Sequence, residues 1–158
     1  MKLTPITLDA IDRRILTHLQ GHARATTIEL AEVAHLSPAQ CNRRHRRLED
    51  AGLITRYETR LDAPGLGLHV VAFVNVTMER GHLRELDKFK SLVGDLAQIQ
   101  ECYAVTGDSD YVMKVVARDL KSLSDFLMGT LMHSPGVQAV RSTVCLDEVK
   151  CTSALPLD

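Results

Sequence analysis

Apolar residues recur every three or four positions through the N-terminal third of the chain, which is the spacing of short amphipathic helices. The segment Leu8–Gln20 follows this spacing, and Gly21 comes directly after it as a helix terminator. A second helix is predicted to begin at Thr26, because Thr26 and Glu29 have the spacing of a capping box. The apolar sides of both helices predict a small shared core.

The stretch Leu36–Gly52 predicts a third helix with two chemically different faces. Ser37 suits the N-cap, Pro38 suits the first helical position, and Gln40 completes a second capping box. The inward face is small or apolar apart from one histidine, and it contains Cys41, His45, Leu48 and Ala51. The outward face is polar and contains Gln40, Asn42, Arg43, Arg46 and Arg47. Because only a short turn separates the last two helices, the pattern predicts a helix-turn-helix.

An arginine-rich outward face on such a helix is chemically suited to duplex DNA. Arginine can bind a guanine edge through two hydrogen bonds, and asparagine can bind adenine in the same way. Arg44 lies near the edge of the buried face, where it can instead bridge to an acid of the same domain. The residues expected to contact DNA are Thr26, Thr27, Ser37, Pro38, Gln40, Asn42, Arg43, Arg44, Arg46 and Arg47. Within this set, Arg46 and Arg47 are interpreted as phosphate anchors. The alternative interpretation is a charged, solvated helix in a small bundle with no DNA role.

Beyond the helices, Leu53–Leu61 alternates in the manner of an extended strand, and Asp62–Gly65 then breaks regular structure. We therefore predict domains over residues 1–62 and 63–158. The second domain has the element order βαββαβ, the ferredoxin-like arrangement, and the fold class is α+β. Its strands are predicted over Leu68–Met78, Ile99–Thr106, Tyr111–Ala117 and Val137–Val149, and its helices over Leu83–Leu96 and Leu120–Met132.

The first strand of this second domain is apolar on both of its faces. Val74 and Val76 share one face with their alternate neighbours, while Val71 and Phe73 lie on the other. Two helices can cover one face of a four-stranded sheet, and a second copy of the chain is the simplest cover for the other. A homodimer would also present two recognition helices to two DNA half-sites.

Charge and cysteine content narrow the picture further. The chain has 158 residues and a net charge of −1, but the first sixty residues hold ten lysines and arginines against seven acids. Four cysteines stand at irregular spacing, which favours reduced thiols over a metal site or disulfides. No signal peptide or long apolar run is present, so we expect a cytoplasmic protein without a membrane partner.

Six segments together resemble the Lrp/AsnC, or feast/famine, family of bacterial transcription regulators. They are Leu36–Arg44, Arg47–Ile54, Ile99–Tyr103, Val105–Val112, Pro135–Val137 and Leu146–Lys150. The resemblance implies a winged-type helix-turn-helix with a linker strand, followed by an amino-acid-sensing RAM/ACT-like domain. It also implies homodimers that assemble to octamers, and a small effector, commonly an amino acid, bound between dimers.

The resemblance places the effector around the Gly107–Tyr111 turn and the facing last strand. The residues that it assigns are Ala104, Gly107, Asp108, Asp110, Met132, Thr143 and Val144. A carboxylate such as Asp110 can hold an α-ammonium group, and turn N–H groups can receive an α-carboxylate. The alternative is that this segment is only a hairpin turn. No metal and no cofactor beyond the effector is expected.

Two rival functions stay open at this point. The family resembles siroheme decarboxylases, which share the two-domain plan and rely on histidines, but the seven histidines here are scattered and no nucleophile–base pair is legible. We therefore expect no enzymatic activity. The other rival is a DNA-architectural protein of weak sequence specificity. His45 also departs from the family pattern, which usually has an apolar residue there, and a hydrogen-bonded core role is expected for it.

Overall fold

Three helices form the first part of the fold, and each begins at a side-chain cap. The computed structural model describes residues 7–79 and 83–157, with the side chains of residues 83 and 84 excluded. The helices span Ala10–Gly21 (α1), Thr27–Ala34 (α2) and Pro38–Asp50 (α3). Capping boxes at Thr26 and Ser37 confirm the predicted starts of α2 and α3. α1 begins two residues later than predicted, because Asp9 acts as its N-cap and forms a capping box with Asp12.

Two residues with positive φ shape the ends of α2 and α3. His35 has a φ of 55° and connects α2 to α3 in a left-handed conformation. Gly52 has a φ of 71°, and its N–H donates to the carbonyl of Glu49 while the N–H of Leu53 donates to that of Leu48. These paired bonds are those of a Schellman motif, which satisfies the last carbonyls of α3.

The linker strand predicted over residues 53–61 is wrong for the single chain. Residues 55–62 are assigned to no helix or strand. Alternation of side chains makes a segment compatible with extended structure, but a strand also needs a neighbour for its backbone hydrogen bonds. A short 3₁₀ turn, Pro64–Leu66, follows the linker.

The second part is a four-stranded antiparallel sheet with helices on one face. Its elements are Val70–Met78 (β1), Leu83–Asp95 (α4), Ile99–Ala104 (β2), Tyr111–Ala117 (β3), Leu120–Phe126 (α5), a π-helical turn over Leu127–Leu131 and Val137–Val144 (β4). The strand order β2-β3-β1-β4 confirms the predicted ferredoxin-like fold. β4 ends five residues before the predicted Val149, at the point where its pairing with β1 ends.

Aliphatic side chains from alternate positions of the strands form the core beneath α4 and α5. Val74, Val76, Met113 and Val115 are fully buried there, together with Phe89 of α4. Phe73 points to the opposite face of the sheet and is 46% exposed. The helices therefore cover one face only, and the prediction that β1 is apolar on both faces identifies a sheet surface that stays accessible in the single chain.

The chain forms two compact units, and its C-terminal segment belongs to the first of them. One unit comprises the residues up to Arg60 together with those from Lys150 onward, and the other is Leu61–Val149. Gln20 donates from Nε2 to the carbonyl of Leu155 at 3.0 Å, and Leu157 packs against the helical core. No sequence periodicity indicates this return. The predicted domain boundary between residues 62 and 63 stays a prediction. Residues 1–6 of the predicted first domain lie outside the described residues.

Candidate functional site

The residues expected to contact DNA all lie on α3 or at the start of α2. Ser37, Pro38, Gln40, Asn42, Arg43 and Arg46 are exposed on α3. Thr26 is also exposed, whereas Thr27 is half-buried. Because α2 and α3 pack together in one small unit, the fold presents these side chains on consecutive, rigid elements.

The two capping boxes already use some of the polar groups expected at DNA. The Ser37 hydroxyl donates to Gln40 Oε1 at 3.0 Å, so Gln40 keeps only its amide N–H groups as free donors. The Thr26 hydroxyl donates to Glu29 Oε2 at 2.9 Å. The backbone hydrogen bond from Thr26 lowers the pKa of Glu29, which holds an anion at the start of α2. A phosphate would have to displace this carboxylate to reach the Thr26 hydroxyl.

Two of the four arginines on α3 bind carboxylates of α1. Arg44 Nη1 lies 2.9 Å from Asp12 Oδ1 and 2.6 Å from Asp9 Oδ2, and Arg47 Nη2 contacts Asp12 Oδ2. Asp12 is fully buried. The Asp12 backbone N–H, followed by Arg44, lowers the pKa of Asp9 to about 2. The interpretation of Arg44 as a bridge within the domain is therefore supported, and Arg47, interpreted as a phosphate anchor, also contacts an internal acid.

Arg43 and Arg46 differ from this pair. Both side chains are exposed, and neither makes a hydrogen bond or ion pair with any residue in the described part of the chain. Asn42 is exposed beside them. The free positive charge of α3 therefore belongs to Arg43 and Arg46.

His45 is a hydrogen-bonded residue at the boundary of the core, as expected. Its side chain is 19% exposed, and its Nε2 lies 2.6 Å from the Tyr57 hydroxyl. That hydroxyl donates to Glu49 Oε1 at 2.9 Å, so His45 supplies the proton in its own bond to Tyr57. Partial burial, followed by the hydrogen bond to Glu49, raises the pKa of Tyr57 to about 12. The network connects the end of α3 to the linker, and no sequence pattern identified Tyr57 as the partner of His45.

The turn between β2 and β3 is shaped by one glycine and one aspartate. Gly107 has a φ of 121°, a conformation that side chains other than hydrogen disfavour. Asp110 Oδ2 accepts a hydrogen bond from the Met78 N–H at 2.7 Å, and the Asp110 N–H donates to the Val76 carbonyl. The hairpin interpretation is thus satisfied structurally. The second carboxylate oxygen of the exposed Asp110 accepts no hydrogen bond from another described residue and is available to a ligand.

The seven expected effector residues do not meet within one chain. Ala104, Gly107, Asp108 and Asp110 lie at or beside the β2–β3 turn. Thr143 and Val144 pair with Phe73 and Ala72 at the other end of β1, roughly 10–13 Å from the turn at about 3.3 Å per residue. Thr143 and Val144 also project to opposite faces of the sheet. Met132 is half-buried after the π-helical turn.

A separate cleft lies elsewhere in the second unit. It measures about 450 Å³ and contains none of the seven residues. Its lining is formed by Leu68, Ala97, Gln98, Gln100, Val116, Ala117, Arg118 and Ser122.

The described residues contain neither a candidate metal site nor a helix that could span a membrane. No group of three or more His, Cys, Asp or Glu side chains in residues 7–79 and 83–157 could hold a metal ion. The four cysteines, all within the described residues, form no disulfide. Within the same residues, no helix has the length and apolar content needed to cross a membrane.

Two family models match consecutive parts of the chain. A winged helix-turn-helix DNA-binding model matches residues 8–55, and the Lrp/AsnC ligand binding domain model matches residues 71–155. The matches coincide with the helical unit and with the sheet.

Characterised relatives and solved structures resemble the chain over nearly its whole length. The leucine-responsive regulatory protein of Klebsiella pneumoniae is 39% identical over 148 residues, which cover 94% of this chain and 90% of that protein. The transcriptional regulator AzlB of Bacillus subtilis is 32% identical, with 97% and 98% covered. The structure of the Neisseria meningitidis transcriptional regulator NMB0573 in complex with L-Met has a TM-score of 0.93 at 36% identity, covering 96% of this chain and 98% of that one.

Proposed function

The chain belongs to the Lrp/AsnC family of transcriptional regulators, and we propose that a homodimer of it reads duplex DNA through α3 under the control of an amino-acid effector. Its role as a DNA-binding regulator with a helix-turn-helix and a ligand-binding domain follows from the family. The proposal concerns the DNA contacts, the assembly and the effector site.

The observation that carries the DNA proposal is the capped helix α3 with its exposed Asn42, Arg43 and Arg46. A recognition helix places its N-terminal part against base edges in the major groove. The first turns of α3 hold Gln40 with a free amide, Asn42 and Arg43, and all three are able to bond base edges. Arg46 lies one turn further on, where a phosphate contact is expected.

The exposed sheet face supports the proposed homodimer. Phe73 is 46% exposed on that face, and Val71 and Val112 lie beside it on β1 and β3. A second copy related by a two-fold axis would bury these side chains. The separation of Thr143 and Val144 from the β2–β3 turn is a second support, because residues at two ends of a sheet can complete one site only when further chains contribute. Assembly of dimers to an octamer is proposed on the same ground.

We propose that the effector is an amino acid bound at the β2–β3 turn. The available oxygen of Asp110 suits an α-ammonium group, and the turn around Gly107 gives the backbone close approach to an α-carboxylate. The relative from Neisseria meningitidis was solved with L-Met, which favours this ligand class. Met132, Thr143 and Val144 are proposed to contact the amino-acid side chain.

DNA binding is tested by selecting bound duplexes from random sequence and footprinting the result. Discrete protected sites with two related halves are expected from a dimeric regulator. Uniform coverage at every sequence would instead favour the DNA-architectural alternative. Analytical ultracentrifugation of the same preparation gives the assembly state, and a monomer at all concentrations would contradict the dimer.

Effector binding is tested by calorimetry with each of the twenty common amino acids. Asp110→Asn removes the charge proposed to hold the α-ammonium group but keeps an oxygen that can accept from Met78. Asp87→Asn is the matched control, because it removes the same charge from an exposed position on α4 that is not among the proposed effector residues. Loss of binding in Asp110→Asn alone supports the site, whereas binding of no amino acid by the wild type rejects the effector proposal.

We propose no enzymatic activity, no cofactor and a cytoplasmic location. The support is the regulator family and the DNA partner, since DNA is met in that compartment of a bacterial cell. Mixing the protein with a tetrapyrrole and recording the absorbance tests the siroheme-decarboxylase alternative, and a new Soret band would favour it.

A further inference from the structure

The four arginines of α3 fall into two pairs that differ in what they contact. Arg44 and Arg47 stand three positions apart, so they share one face of the helix, and that face meets α1. The carboxylate of Asp12 receives both guanidinium groups, one on each oxygen. Asp9 adds a second contact to Arg44 at 2.6 Å. Two carboxylates therefore offset the two positive charges of this pair.

Burial makes this arrangement hard to exchange for DNA contacts. Asp12 has no exposed surface, and a buried carboxylate is strongly destabilising once its counter-charge is removed. A phosphate that drew Arg44 or Arg47 away would remove one of the two guanidinium groups that offset the buried Asp12 charge. Arg43 and Arg46 carry no such cost, because their side chains are exposed and make no ion pair with the described residues.

We infer that Asp12 sorts the arginines of the recognition helix, so that Arg44 and Arg47 position α3 against α1 while Arg43 and Arg46 bind DNA. The inference rests on the proposed function. It goes further by assigning Asp12, Arg44 and Arg47 as positioning residues rather than DNA contacts. With this division, only two arginines of α3 attract the phosphates of a duplex. Contacts with bases therefore supply a larger share of the DNA affinity of α3.

The salt dependence of DNA affinity distinguishes the two pairs. Each phosphate contact adds about 0.9 to the slope of log affinity against log salt concentration. With a mixed-sequence duplex as probe, Arg43→Ala and Arg46→Ala are each expected to reduce the slope by about 2, because the proposed homodimer loses one phosphate contact from each of its two recognition helices. Arg118→Ala is the control, because it removes the same charge from an exposed position in the second unit and should leave the slope unchanged.

The positioning pair is tested by replacing the whole buried cluster. Asp12→Leu, Arg44→Met and Arg47→Met together remove the buried charge and both of its arginine partners, an exchange that buried ion clusters often tolerate. Only Asp9, whose side chain is half-exposed, loses a partner without being replaced. This triple variant is expected to keep the wild-type slope. Asp12→Asn, which frees Arg47 while Asp9 still holds Arg44, is expected to increase the slope.

The outcomes separate this inference from the proposed function. A wild type that binds no duplex rejects the function itself. A triple variant that binds DNA with a slope smaller by about 4, the loss of two phosphate contacts from each recognition helix of the homodimer, overturns the sorting and leaves the function intact. If the triple variant does not fold, Arg43→Ala and Arg46→Ala decide, and an unchanged slope in both overturns the inference.

Discussion

Substituting Asp12 by asparagine should destabilise the helical unit more than any other single polar change in it. The substitution removes the buried charge that two guanidinium groups share, and it turns an amide N–H toward at least one of them. Hydrogen bonds to charged groups contribute about 1.5–3 kcal/mol each, and breaking a buried pair costs about 3–5 kcal/mol.

The structure places Asp12→Asn at the lower end of that range. Arg47 is 47% exposed and Arg44 is 26% exposed, so water can solvate both once Asp12 is neutral. Arg44 also keeps its contact with Asp9. We therefore expect a loss of about 3 kcal/mol in the free energy of unfolding, or roughly 12–24 °C in melting temperature for a unit of this size.

Hydrogen exchange measures this loss where it occurs. Amides of α1 and α3 should exchange faster in Asp12→Asn, while those of β1 and β3 in the second unit serve as an internal reference. Asp50→Asn is the matched control, because Asp50 is exposed at the end of α3 in the same unit and surface changes stay within about 0.5 kcal/mol. Equal protection of α1 and α3 in Asp12→Asn and wild type would refute the role given to this carboxylate.

Three further predictions address the linker network, the β2–β3 turn and the sheet core. Because the pKa of Tyr57 is raised to about 12, its neutral hydroxyl stabilises the fold below pH 10, and this contribution is lost between pH 10 and 12. Absorbance at 295 nm should show a tyrosine that ionises late and that is missing in Tyr57→Phe. Identical titrations of the wild type and Tyr57→Phe would contradict this. Gly107→Ala forces a side chain into a φ of 121° and should cost about 1–3 kcal/mol in urea unfolding, whereas Gly129→Ala, which meets open space without positive φ, should cost less. Leu131→Ala empties a fully buried position beneath the sheet and should cost about 2–5 kcal/mol in the same assay; a cost below 1 kcal/mol would show that the site collapses.

Local signals predicted the elements well. The capping boxes Thr26–Glu29 and Ser37–Gln40 determine where two helices start. Their partners are only three residues apart, so the sequence alone identifies both of them. The alternation along β1 likewise identified both its buried face and the exposed Phe73.

What the sequence failed to predict depends on partners distant in the chain or outside it. The sequence does not show that Asp12 is buried between two arginines, because these lie about thirty positions away in the chain. The linker has the alternation of a strand but no neighbour to pair with. The expected effector residues lie at both ends of the sheet, so their arrangement depends on other copies of the chain.

The return of the C-terminal segment means that the two units are joined by two peptide crossings, at residues 60–61 and 149–150. A single proteolytic cut at either crossing would leave the other tether intact. A recombinant chain that ends near residue 149 would lack Leu157, which packs against the helical core, and would leave Gln20 without its backbone partner. An affinity tag fused at the carboxyl end would therefore adjoin the segment that packs against the helical core.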